Sequence, residues 1–143
     1  MLYLDTSALV KKYIEEAWSS EIRKCISQHE SIATSTIARV ESAATFARAV
    51  RRGSLTEPAA RAGHEQFVRE WKSYLRIRVT ESLVARADDI AWTFRLRGYD
   101  ALHLAGALEW HDRIGEGIMV ATFDQDLCRA AGEAGLHRFP ETL

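Results

Sequence analysis

Short apolar runs alternate along this chain with longer stretches of helical period, and three of four candidate acids close or follow such runs. A run of three or four apolar residues is too short for a helix and fits a strand buried on both faces. Apolar positions recurring every three or four residues fit an amphipathic helix. Leu2–Leu4, ending at Asp5, is one strand, and Ile118, Met119, Val120 and Ala121 form the clearest one. Ser31–Ser35, the alternating Arg76–Val79 and Leu136–Phe139 supply three more. Between them, helices are expected from Ser7, from Trp18 to His29, and from a cap at Ser35 or Thr36 through Arg52 to a stop at Gly53. Others run from about Glu57 to Tyr74, from a Thr80 cap to a stop at Gly98, from Asp100 through Leu108, and from Leu127 to Gly135, with Gly115 and Gly117 bracketing a turn. This order predicts a three-layer α/β/α fold around a short, mainly parallel sheet, with the helices either side of Gly53 as a protruding hairpin. At 143 residues, with no repeat and no linker-like segment, the chain reads as one domain, 1–143.

Composition removes several function classes. No apolar stretch approaches the ~20 residues of a membrane span, and an N-terminus reading Met-Leu-Tyr-Leu-Asp has no basic leader, so a cytoplasmic location is expected. Cys25 and Cys128 lack metal-ligand spacing and read as buried thiols. A formal charge of −1 does not suit a broadly basic nucleic-acid binder, yet setting aside four acids as cation ligands leaves +3 for phosphates.

In an alternating α/β fold, ligands sit beyond the carboxyl ends of the strands, and Asp5, Glu41, Asp100 and Asp124 fall there. Converging carboxylates suit Mg2+ or Mn2+, which prefer hard oxygen ligands and keep several waters. Singly, Asp100 and Asp124 read equally well as helix caps. Glu41 is different: Ile37, Val40 and Ala44 flank it by one turn and set its carboxylate against the core-facing stripe. Such a group needs a cation, a donor, or an arginine such as Arg39 or Arg48. Two cations about 4 Å apart would activate water and stabilise both the transition state and the departing 3′ oxygen, giving 5′-phosphate and 3′-hydroxyl ends. Thr6, Ser7 and Thr122 suit the orientation of carboxylates or water.

Four segments together resemble the PIN-domain ribonucleases, and most closely VapC-type toxins: LDTSALVK from Leu4, TIARVE ending at Glu41, LRGYDALHLAGAL around Asp100, and ATFDQDL around Asp124. They span nearly the whole chain in the family's order. The resemblance implies a PIN fold, with metal-binding acids at Asp5, Glu41, Asp100 and Asp124 and small hydroxyls at Ser7 and Thr122. It places Asp126 where relatives carry an assisting acid or a basic residue; a helix-dipole role suits it equally. It further implies an RNA substrate, a homodimer, a cognate VapB-like antitoxin, and a higher toxin–antitoxin assembly. Gly98-Tyr99 and the proline-free Glu15–Trp18 depart from the family's usual pattern.

For RNA, Arg48, Arg51 and Arg52, with Lys11 and Lys12, form a candidate basic rim, and Tyr99 a candidate stacking surface. His103 reads as a packed helix residue and His64 as core. The alternative to a nuclease is a non-catalytic PIN-fold module that binds protein or nucleic acid. A phosphotransferase with Asp5 as nucleophile is weaker, because no second aspartate lies two residues on.

Overall fold

The computed structural model describes residues 1–115 and 117–143. In chain order the elements are β1 (Leu2–Leu4), α1 (Thr6–Lys11), α2 (Ser19–Ser27), β2 (Ile32–Ser35), α3 (Ala38–Arg51), α4 (Glu57–Glu70), β3 (Leu75–Ile77), α5 (Glu81–Phe94), α6 (Gly98–Ile114), β4 (Met119–Ala121), α7 (Gln125–Glu133) and β5 (His137–Phe139). The strands form one sheet in the order β3-β2-β1-β4-β5, and its four pairings are all parallel.

β1 explains the layering. Its three side chains are fully buried and alternate faces. Leu2 and Leu4 join Leu9, Ile22, Phe67 and Tyr74, whereas Tyr3 joins Ile77, Leu83, Leu104, Val120 and Leu127. Each large apolar side chain removed from water contributes about 1.5–3 kcal/mol, so a strand buried on both faces anchors both helical layers. Val10, Phe46 and Ala60 form a smaller cluster that joins α1 to the α3–α4 hairpin. Lys12 and Tyr13, just past the end of α1, both bond Glu70 at the end of α4, at 2.6 and 2.8 Å.

Several boundaries differ from the sequence expectation. Helix α3 starts at Ala38 with Ile37 as an uncapped N-cap; Thr36 Oγ1 instead accepts from the Val79 N–H at 3.4 Å, across to the chain leaving β3. Helix α4 stops at Glu70 and tightens into a 3-10 turn over Trp71–Ser73, because Tyr74 turns inward to be buried. Helix α5 ends at Phe94 on a left-handed Arg95 (φ 57°), not at Gly98, and Leu96 folds back with its N–H on Ala91 O at 3.1 Å. Gly98 thus opens α6, and Asp100 lies in its first turn and not at its cap. The turn expected between Gly115 and Gly117 contains Glu116, which lies outside the described residues. Among the described residues no helix is long and apolar enough to cross a membrane.

Candidate active site

With β2 on one side of β1 and β4 on the other, the chain reverses its winding direction beside β1, which opens a crevice at the carboxyl ends of β1 and β4. A cavity of about 830 Å³ lies there, and Asp5, Glu41, Asp100 and Asp124 all line it.

Asp5 is the most firmly held of the four. It caps α1 by accepting from the Ala8 N–H at 2.9 Å, and takes the Ser7 hydroxyl at 2.8 Å and the Thr122 hydroxyl at 2.9 Å. Those hydroxyls are fixed in turn: Ser7 Oγ accepts from Phe123 N–H at 2.7 Å, and Thr122 Oγ1 accepts from Asp124 N–H at 3.1 Å. Burial pushes the Asp5 carboxyl above its ordinary pKa, against His103 and these donors.

Glu41 sits on α3, half-buried, but not on a core stripe. Val40 is 66% exposed and Ala44 is exposed, and the buried positions are Ala38, Ser42 and Phe46. The helix is rotated so that Glu41 borders the cavity. Its partner is neither Arg39 nor Arg48: Glu41 Oε2 accepts from Thr6 Oγ1 at 2.6 Å and lies 2.8 Å from His103 Nε2. Burial raises its pKa, yet the His103 ring and the Thr6 hydroxyl outweigh that and hold the carboxyl below its usual value.

Asp124 caps α7 through the Leu127 N–H at 3.0 Å. Asp100 accepts no hydrogen bond from any described residue, and its pKa is pushed up to about 6 by burial and then by the negative charges of Asp124 and Asp5. Two acids close enough to raise the pKa of a third, partly buried one make the chemistry of a hard-cation site. The geometry is open: among the described residues no three acid, histidine or cysteine side chains already close into a cage. These donors fit a divalent cation that keeps several waters.

The remaining candidates divide. Arg48, Arg51 and Tyr99, 62% exposed, line the cavity. Lys11 also lines it, but pairs with Glu16 at 2.9 Å and donates to Ala17 O at 3.0 Å. Lys12 is held by Glu70, and Arg52 borders a neighbouring hollow with Ile14 and Leu55, so the basic rim narrows to Arg48 and Arg51. Asp126 is absent from the cavity wall and lies exposed, 3.9 Å from Arg129 one turn on. That is the arrangement of an acid in a helix's first turn.

The sequence reads His103 first as a packed helix residue and second as a contact for substrate. It is buried, but its ring also reaches Glu41, Thr6 and Tyr3, so it belongs to the site. Its spacing from Asp100, three residues along one helix, already put both on one face.

A family model described as the PIN domain matches residues 2–133. Ribonuclease VapC49 of Mycobacterium tuberculosis strain H37Rv is 31% identical over 143 residues, covering 100% of this chain and 97% of that protein. A solved structure of FitAB bound to an IR36 DNA fragment matches with a TM-score of 0.72 at 18% identity, over 100% of this chain and 97% of the other. A toxin–antitoxin complex from Klebsiella pneumoniae matches with a TM-score of 0.62 at 15% identity, over 87% and 88%. At such identities the structural matches establish the fold.

Proposed function

This chain belongs to the PIN-domain family, and from that premise we propose that it is a Mg2+- or Mn2+-dependent endoribonuclease, the toxin of a toxin–antitoxin pair. The observation that carries the proposal is four acids on one cavity wall at the carboxyl edge of a parallel sheet, the pKa of one of them raised by burial and then by its acidic neighbours. Asp5, Glu41, Asp100 and Asp124 would hold the cations. Cations bound there would supply an activated water and neutralise charge on the departing 3′ oxygen.

The protein's own part is arrangement. Ser7 and Thr122 hold both oxygens of Asp5, so its carboxylate is oriented before any ligand arrives. Arg48 and Arg51 on the cavity wall would draw in a phosphate backbone, and the exposed Tyr99 ring offers a face to a neighbouring base. Such a toxin would act in the cytoplasm, as a homodimer restrained by a VapB-like antitoxin in a larger assembly. The toxin and antitoxin parts of this reading are supported by the name of the ribonuclease relative and the description of the Klebsiella pneumoniae complex; the cytoplasmic location and the homodimer follow from the family resemblance alone.

The open geometry of the acids is the one observation that favours a non-catalytic module. Incubating purified protein with end-labelled cellular RNA, with Mn2+ or with EDTA, separates the two. Metal-dependent cuts with 5′-phosphate ends, absent in Asp5→Asn and Asp100→Asn, are expected. Equal cutting by the variants would expose a contaminant, and no cutting across varied RNAs would favour the module.

A further inference from the structure

Behind the acids runs a buried polar chain that packing alone does not require. Tyr3 on β1 is wholly enclosed, and its hydroxyl lies 3.0 Å from His103 Nδ1. On the other side of the ring, Nε2 lies 2.8 Å from Glu41 Oε2 and 3.3 Å from Thr6 Oγ1. The directions of these bonds follow from the donors present. Thr6 gives its proton to Glu41 at 2.6 Å, so Thr6 Oγ1 and the Glu41 carboxylate both face Nε2 as acceptors, and Nε2 must carry hydrogen. With the ring neutral, Tyr3 then donates to Nδ1, which selects that tautomer. Room for the hydroxyl is kept by Gly106, one turn beyond His103: a methyl group there would stand 3.1 Å from the Tyr3 oxygen.

We propose that Tyr3 and His103 are positioning residues that lock the Glu41 carboxylate through Oε2, leaving Oε1 free to face a cation in the acid cavity. Glu41 comes from a helix whose neighbouring positions, Val40 and Ala44, are exposed, so little packing near it fixes its rotamer. Both protein bonds fall on one oxygen, and Oε1 has no partner among the described residues. A flexible glutamate would have to lose rotamer freedom on binding a cation. Held in advance by donors from α1 and α6, the second of them backed by Tyr3 of β1, it loses little, and the binding free energy goes into coordination. Removing Tyr3 Oη frees the ring to take the other tautomer, which would turn a bare nitrogen lone pair toward the carboxylate.

The inference rests on the reading of the acids as a cation site, so its test measures cation affinity and not cleavage. Mn2+ is titrated calorimetrically into the wild-type chain and into Tyr3→Phe, His103→Ala and His103→Gln, each confirmed folded by circular dichroism. Loss of an outer-shell partner costs about 10–100-fold in metal affinity, the weakening expected for His103→Ala; Tyr3→Phe should lose roughly 3–10-fold. His103→Gln keeps an N–H donor near Nε2 and should stay within about threefold of wild type by the same reasoning. A purely structural role would lower the melting temperatures but leave the affinity of the folded protein alone. Mn2+ affinities within twofold of wild type for both Tyr3→Phe and His103→Ala would therefore overturn the proposal, and Tyr3→Phe decides alone should His103→Ala fail to fold. Wild-type protein that binds no Mn2+ would overturn the cation site itself.

Discussion

Asp5 and Asp100 share one cavity and have opposite supports. Asp5 receives an amide and two hydroxyls, each fixed by a further hydrogen bond, whereas Asp100 receives nothing from the described residues and faces two other acids. Glu41 stands with Asp5, held by Thr6 and His103. One half of the site is therefore oriented by the protein alone. The other half carries unrelieved repulsion that a cation would remove. The contrast teaches where stability and function oppose each other: carboxylates kept close without counter-charge cost the empty fold energy and gain their use only with a ligand.

The largest effect should come from the supported half. Asp5→Asn keeps the shape and the Ala8 cap but removes the charge, and should lower kcat/KM for RNA cleavage by about a thousandfold or more while the fold persists. Activity within tenfold of wild type would deny Asp5 its place. Thr122→Val, which takes away one donor to Asp5 without touching the acid, should cost about 10–100-fold in cleavage or Mn2+ affinity.

The unsupported half should behave in the opposite sense. An acid whose folded pKa is raised adds stability below its unfolded pKa and loses that contribution as pH rises through its folded value, about 6 for Asp100. Asp100→Asn should therefore stabilise the metal-free protein at pH 7.5 by about 1 kcal/mol, a figure reduced for the screening of a half-exposed group, and make little difference near pH 4. Thermal melts of the two proteins at both pH values in EDTA check this, and equal melting at pH 7.5 would remove the supposed repulsion. For the same reason Mn2+ should stabilise the wild type more at pH 7.5, where a hundred times its Kd adds about 2.7 kcal/mol, than at pH 5.

The smallest effect belongs to the rim. Arg51→Ala should raise KM roughly three- to tenfold with kcat nearly unchanged and flatten the salt dependence of binding, since one phosphate contact is lost. A fall in kcat alone would put Arg51 in the chemistry.

Strand and helix order, the parallel sheet and the gathering of the acids at its carboxyl edge were legible from local pattern, because Leu2–Leu4 and Ile118–Ala121 are too short and too apolar to be anything but buried strands. Thr80 and Gly135 likewise marked helix ends through local chemistry. Rotation of a helix about its axis was not legible. Glu41 looked core-facing because Ile37 and Val40 are apolar, yet α3 rests chiefly on Ala38, Ser42 and Phe46, and a small side chain against a neighbour leaves a weaker mark than a large one on the surface. Nor did the sequence show that Lys11 and Lys12 are engaged by Glu16 and Glu70, or that Asp126 turns away, because each depends on how neighbouring segments pack.

His103 marks the division best. Its spacing from Asp100 follows from helical geometry, and its burial from the apolar residues around it, so both belong to the sequence. That the two ring nitrogens meet Tyr3 on one side and Glu41 on the other was settled only when β1, α3 and α6 came together. Local pattern determines which residues share a face. Only packing between segments 35 to 100 residues apart decides which faces meet, because those contacts have no periodicity along the chain to betray them.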